Sequence, residues 1–313
     1  MGNIHKLTEG ALFLSIYAVL LLVFLYIPVL GVVVSLFLVF PFILMTVKNE
    51  LKFSLVFLIA ATLISLIVGT ILAVPVTITY GTVGMVIGYL LKKENSRFAI
   101  YIGGSLALLI NIVLQYVVAV SFFQLNFIEE TIQVFRESTE LSFEMLARMG
   151  QSPNEALQKQ FEDTIKLMKT LAPSLFVLMA FIGMFVIQLV NMPILRRFHI
   201  QPPKWRPFCE LTLPRSLLLY YLLTILIILL VKPAEDQFLY GALTNLSFIL
   251  QALILLQGFA FIFYFSYSKG YSKAIPIIAT ILAFIIPIFL PIVRILGIID
   301  LGFNLRQYVG TKK

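Results

Sequence analysis

Charged side chains buried in apolar helices are costly, and each one is a candidate for function. In this 313-residue chain, 60% hydrophobic and 12% charged, they are nearly absent from the middles of the apolar runs. The exception is the ending Arg294-Ile-Leu-Gly-Ile-Ile-Asp300-Leu-Gly-Phe-Asn-Leu-Arg306. One helix through it puts Asp300 and Asn304 on one face, with Arg306 slightly beyond. Two uses fit a charged motif of Arg294, Asp300 and Arg306. Its charges can snorkel to the interface or pair with other helices. They can also form an anion-handling or gating pair, the one foothold for chemistry on lipid substrates.

Uncharged polar groups are better represented. Tyr80, Asn111, Gln115, Gln188 and Asn191 are the candidate ligand-binding residues, because amides inside a bilayer either tie helices together or line a polar pocket. Asn245, Gln251 and Gln257 add further amides. Gly84-x-x-x-Gly88 reads as a small-residue packing face. Pro75, three glycines and several hydroxyls in the same run could instead free backbone groups to line a cavity, as broken transporter helices do.

Other chemistry is disfavoured by residue type. Cys209 is the single cysteine, and His5 and His199 stand far apart, so no disulfide, metal site or cofactor is expected. There is no phosphate-binding Gly-rich Lys-Ser/Thr loop, no Ser-His-Asp order and no His-Glu-x-x-His. The expectation is a protein that is not an enzyme. The net charge of +8 is scattered between apolar runs, which argues against nucleic acid as a partner.

The elements that must position these residues are transmembrane helices in contact with the lipid bilayer. Apolar runs fall near 10–27, 29–47, 53–69, 71–91, 98–123, 172–195, 214–231, 238–267 and 274–299. The fold class is therefore an all-α polytopic membrane protein with eight or nine transmembrane segments. Thirteen Lys and Arg residues lie in alternate loops on one side and six on the other, which places the N-terminus in the cytoplasm. Pro287 and Pro291 leave the last run open to two readings, a full span with an outer tail or a re-entrant hairpin with an inner one.

Segment 124–171 lies on the outer side and carries eight acids against five bases. Its apolar residues recur at helical spacing in two runs separated by Gly150 to Glu155, where Ser152, Pro153 and Glu155 suit a helix start. An extracytoplasmic helical hairpin is expected, either zipped on itself or acting as a lid. The segment 196–215 holds four prolines among basic and aromatic residues and suits the anionic inner leaflet or a cytoplasmic partner.

Lys6-Leu-Thr-Glu-Gly-Ala11, the compact first five spans, Arg196-Arg197 with the Pro-rich Trp205-Arg206 loop, and Gly297 to Arg306 together resemble the YybS-like family of bacterial membrane proteins of unknown function. The resemblance covers nearly the whole chain and implies a multi-pass protein of the plasma membrane in a Firmicute-like bacterium. More loosely, the architecture of residues 1–197 resembles the six-helix S component of energy-coupling-factor vitamin transporters. That likeness implies a six-helix membrane domain over 1–197 that includes the extracytoplasmic hairpin 124–171; the residues that follow read as a cytoplasmic Pro/basic loop over 198–213 and C-terminal membrane helices over 214–313. It also implies binding or transport of a small-molecule ligand, with a transmembrane coupling partner. The long outer hairpin and the extra spans depart from it; the alternative is a non-enzymatic membrane scaffold or envelope-assembly factor with an envelope protein as partner.

Overall fold

A backbone in hydrocarbon must satisfy its own hydrogen bonds, which leaves an apolar chain only helices or a closed barrel. The computed structural model describes residues 3–150 and 155–309, and among them there are helices and turns but no strand. The helices are α1 (Asn3–Tyr26), α2 (Pro28–Ser35), α3 (Phe40–Lys48), α4 (Leu51–Lys92), α5 (Arg97–Phe123), α6 (Phe127–Arg148), α7 (Glu155–Arg197), α8 (Ser216–Val231), α9 (Phe238–Ser268), α10 (Ala274–Ile285), α11 (Phe289–Phe303) and α12 (Leu305–Val309). Six helical runs among the described residues are long and apolar enough to cross a membrane, and Ser216–Val231 and Ala274–Ile285 are shorter apolar helices. The chain divides into two compact units, 1–141 with 175–205, and 142–174 with 206–313.

In the first unit, α4 is two helical arms joined at Thr70. Thr70 has φ 63° and ψ −171°, a region that side-chain-bearing residues rarely occupy. The helix folds back there. A Cβ on Gly81 would strike Leu58, and the Phe42 ring touches both Phe57 and the backbone at Gly81, whereas 23 residues of straight helix would hold 58 and 81 about 34 Å apart. The two expected spans, 53–69 and 71–91, are thus the arms of one hairpin. Gly69 does not take the positive φ itself; it gives room to Leu25 and Ala73, where a Cβ would collide.

The arm 71–92 packs on α3 through Gly84 and Gly88. A Cβ at Gly84 would sit 2.7 Å from the Val39 carbonyl, and one at Gly88 would sit 2.8 Å from that of Ile43. The small-residue motif is a packing face. Around it Tyr17, Leu21, Phe42, Ile43 and Ile87 are fully buried, and Tyr17 and Phe42 meet edge to face at 5.0 Å. Tyr17 donates its hydroxyl proton to Thr77 at 2.7 Å, so the phenol is buried without a lost hydrogen bond.

A helical hairpin is formed by α6 and the first part of α7, and it departs from expectation in one respect. Its second arm and the sixth span are not separate elements: α7 runs unbroken for 43 residues, about 65 Å. Asn126 caps α6 by accepting from the Glu129 amide at 3.3 Å, and Gly150 ends it at φ +81°. The expected start at Ser152 and Pro153 lies outside the described residues. In the second unit, Phe143 and Phe161 meet edge to face at 6.2 Å, and Asn245 of α9 binds the α7 arm by donating to the Thr170 carbonyl at 2.6 Å. The Asn245 side-chain oxygen accepts from both the amide and the hydroxyl of Ser174.

The last apolar run breaks at Ile286 to Ile288, around Pro287, into α10 of 12 residues and α11 of 15. Both pack on Phe259 of α9, which clusters with Ala283 and Val293. Gly258 and Gly297 let α9 and α11 cross backbone to backbone; a Cβ on either would run into the Val293 or Ile254 carbonyl.

Candidate functional site

The polar candidates of the first unit fall into separate helix contacts. Asn111 of α5 donates to Thr82 Oγ1 at 2.9 Å and to the Ala107 carbonyl at 2.7 Å. One turn on, Gln115 donates to Thr79 Oγ1 and to the Pro75 carbonyl. Both amides therefore sew α5 to the arm 71–92. Tyr80 is half-buried against the hydrophobic core. Asn191 of α7 donates to the Leu36 carbonyl at 2.7 Å, in the non-helical stretch between α2 and α3, where helix carbonyls lose their own partners. Gln188, one turn earlier, is fully buried, and neither atom of its amide has a partner.

One cleft of about 250 Å³ is lined by Thr46, Asn49, Leu51, Tyr89, Lys92 and Lys93, and another of about 340 Å³ by residues of α8, α9 and the turn between them. None of the five candidates lines either.

The C-terminal motif is split by the fold. Asp300 and Arg306 meet: Arg306 Nε donates to Asp300 Oδ2 at 3.1 Å, with the carboxylate side chain 1% exposed. Gln257 Nε2 donates to the same oxygen at 2.5 Å, and its own Oε1 accepts from the Leu213 amide at 2.9 Å. The remaining guanidinium nitrogens donate to the Cys209 and Leu211 carbonyls, each at 2.7 Å, and the Tyr264 ring lies under the cation at 5.0 Å. Arg294 is not part of this network; its Nε is buried without a partner. Four elements, α9, α11, α12 and loop 206–215, thus share one polar network. It puts the end of α11 beside that loop and beside Tyr264, 19 residues and about 28 Å along α9 from the Asn245 tie to the outer arm.

Sequence reasoning did not single out Arg97. It opens α5 and is only 7% exposed, with Trp205 stacked on its guanidinium at 5.3 Å. Trp205 also meets Tyr101 edge-on and Phe185 at a tilt, so the Pro-rich loop folds back on α5 and α7 here. The available signal was a cation at the first position of a span with a lone tryptophan elsewhere in the chain.

The family model described as "Predicted membrane protein (DUF2232)" matches residues 15–301. The chain belongs to this family. Among curated proteins of the DUF2232 type, it is similar to "Uncharacterized protein YybS" of Bacillus subtilis (strain 168), with 32% identity over 311 residues, covering 99% of this chain and 100% of the relative. No solved structure matches, and the likeness of residues 1–197 to an S component is not among what the comparisons show. The DUF2232 match takes in Arg97, Gln188, Gln257 and Asp300 and ends five residues before Arg306.

Proposed function

We propose that this DUF2232 protein is a non-enzymatic scaffold of the bacterial plasma membrane, engaging an envelope protein through its outer hairpin. The observation that carries the reading is an apolar stripe on α6. Val134, Leu141, Met145 and Met149 fall on one face and are all exposed, Met149 at 79%. Glu130, Glu137 and Glu144 follow at seven-residue intervals along one edge of that stripe. An apolar face with an acidic edge, held outside the lipid, suits a basic amphipathic helix. The interior supports the same reading, because Asn111, Gln115 and Asn191 are committed to helix ties and the core beside them is filled by aromatic and aliphatic side chains.

The orientation follows from charge. With the N-terminus inside, Lys48, Lys92, Arg196 and Lys269 all fall on the cytoplasmic side. Arg306 is bound to loop carbonyls on that side, so α10 and α11 form a re-entrant pair and the C-terminus is cytoplasmic, giving eight crossings. A reporter fused after Lys313 is expected to be active only as a cytoplasmic fusion.

The test is a photocrosslinker at Met145 in the full-length protein in cells. A discrete adduct that is lost in the Leu141→Glu variant is expected. Absence of any adduct, together with a stoichiometric metabolite in the purified protein, would return the function to a substrate-binding component of a transporter.

A further inference from the structure

A cation in a protein interior is normally paired, because an uncompensated buried charge is expensive. Arg306 obeys this rule and Arg97 does not. Among the described residues no carboxylate is within ion-pairing distance of Arg97. Its one polar contact is a long donation, 3.3 Å, from a terminal nitrogen to the Gln188 carbonyl, and its Nε is buried and unpartnered. A second cation, the exposed Arg196, lies eight residues beyond Gln188 at the end of α7. Gln188 itself has a fully buried side chain with donor and acceptor both unused, and Asn191 has an unused Oδ1. Buried polar atoms are seldom left so, and four of them concentrate at one end of the α5 and α7 pair.

We propose that Arg97, Arg196 and the Gln188 amide form a binding site for a phosphate group, carried by an anionic lipid headgroup or by a soluble phosphorylated compound. The donor set fits that chemistry. A guanidinium offers planar, paired N–H groups that match phosphate oxygens, and the Gln188 amide adds a neutral donor without adding a repelling charge. Arg97 is held in place rather than mobile: it is the first residue of α5, after the Ser96 cap that accepts from the Ala99 amide at 3.2 Å, and Trp205 covers its face. Arg196 is exposed and marks the entrance. The inner leaflet carries anionic headgroups at that level, and Trp205 is a residue type that favours the interface. The site is independent of the scaffold reading, since it lies on the opposite side of the membrane from the hairpin.

The experiment uses the full-length protein. Thermal stability is measured in nanodiscs of phosphatidylglycerol against phosphatidylcholine, and in detergent with inorganic phosphate against chloride at equal ionic strength. Stabilisation by phosphatidylglycerol alone identifies a lipid headgroup; stabilisation by inorganic phosphate in detergent identifies a soluble phosphoryl group. In either case Arg97→Gln is expected to weaken the apparent affinity roughly tenfold or more, as loss of a charged hydrogen-bond donor does. Arg196→Gln, at an exposed position, keeps the test open if Arg97→Gln does not fold, and is expected to weaken binding in the same direction. No stabilisation in either medium, or stabilisation undiminished in both variants, overturns the site.

Discussion

Removing the Arg306 side chain should release the Pro-rich loop, and Cys209 makes the release measurable. Arg306→Ala deletes the ion pair to a carboxylate that is 1% exposed, two 2.7 Å bonds to loop carbonyls and the cation over Tyr264. It leaves Asp300 with the Gln257 amide as its remaining hydrogen-bond donor among the described residues. Breaking a buried pair by deleting one partner costs about 3–5 kcal/mol. Polar contacts inside membranes are worth less on average, which favours the lower end, about 3 kcal/mol. Opening of the loop breaks these contacts together with the Phe208–Phe263 ring contact and the Leu213–Gln257 bond, which the variant keeps, so most of that loss should fall on the local opening equilibrium. At about 1.4 kcal/mol per factor of ten, the open population rises on the order of a hundredfold.

Cys209 is the only cysteine in the chain, and its own carbonyl is one of the two that Arg306 holds. Maleimide labelling in detergent therefore reports loop opening without further engineering, provided that reclosing outpaces reaction. Arg306→Ala should label on the order of a hundred times faster than the unaltered protein. Arg306→Lys keeps the charge but cannot span both carbonyls and the carboxylate, and should fall between the two. The double variant Asp300→Asn with Arg306→Met removes both charges together and should be less destabilised globally than Arg306→Ala. An unchanged labelling rate in Arg306→Ala would refute the argument, as would a double variant less stable than the single one.

Three further outcomes follow from the backbone and the packing. Thr70→Gly relieves a side-chain-bearing residue at φ 63° and should raise stability by about 1 kcal/mol, read as a higher midpoint in thermal unfolding; a lower midpoint would mean that the turn depends on the threonine side chain. Gly297→Ala places a methyl against the Ile254 carbonyl and should cost about 3 kcal/mol or more by forcing α9 and α11 apart, whereas Gly241→Ala, with nothing within reach, should be neutral in the same assay. Asn191→Leu leaves the Leu36 carbonyl without its donor and should cost about 1 kcal/mol, with faster proteolysis or hydrogen exchange confined to residues 34–40 as the specific signature.

The sequence made the helices legible because a bilayer permits little else, and their ends were marked by Lys48, Lys92 and Pro28. What it concealed was how a polar group would be spent. Asn111 and Asn191 are the same residue type in similar surroundings, and each had two open uses. Only the placement of Thr82 and of the Leu36 carbonyl makes them ties, and those partners lie 29 and 155 residues away. The break between 69 and 71 was legible, but not which residue makes it: a Gly-Thr pair points to glycine as the residue with positive φ, whereas Leu25 and Ala73 crowd Gly69 and the next residue takes the strain.

The three charged residues of the C-terminal motif show how far charge alone can be read. Arg294, Asp300 and Arg306 formed a plausible triad by proximity in sequence, yet residues six apart on a helix differ by about 120° around the axis, so Arg294 and Asp300 cannot share a face. Arg306 reaches Asp300 only because Asn304, at φ 51°, ends α11 and turns the chain back. Once that turn is made, Arg306 is bound to carbonyls of the loop that joins α7 to α8, so α12 lies beside that loop. The placement of α12 thus follows from one left-handed residue and one buried ion pair, and not from the count of apolar runs. A variant that abolishes the turn, Asn304→Val, should disfavour the left-handed conformation, separate Arg306 from Asp300 and reproduce the rapid Cys209 labelling of Arg306→Ala; slow labelling there would mean that the loop is held by other contacts.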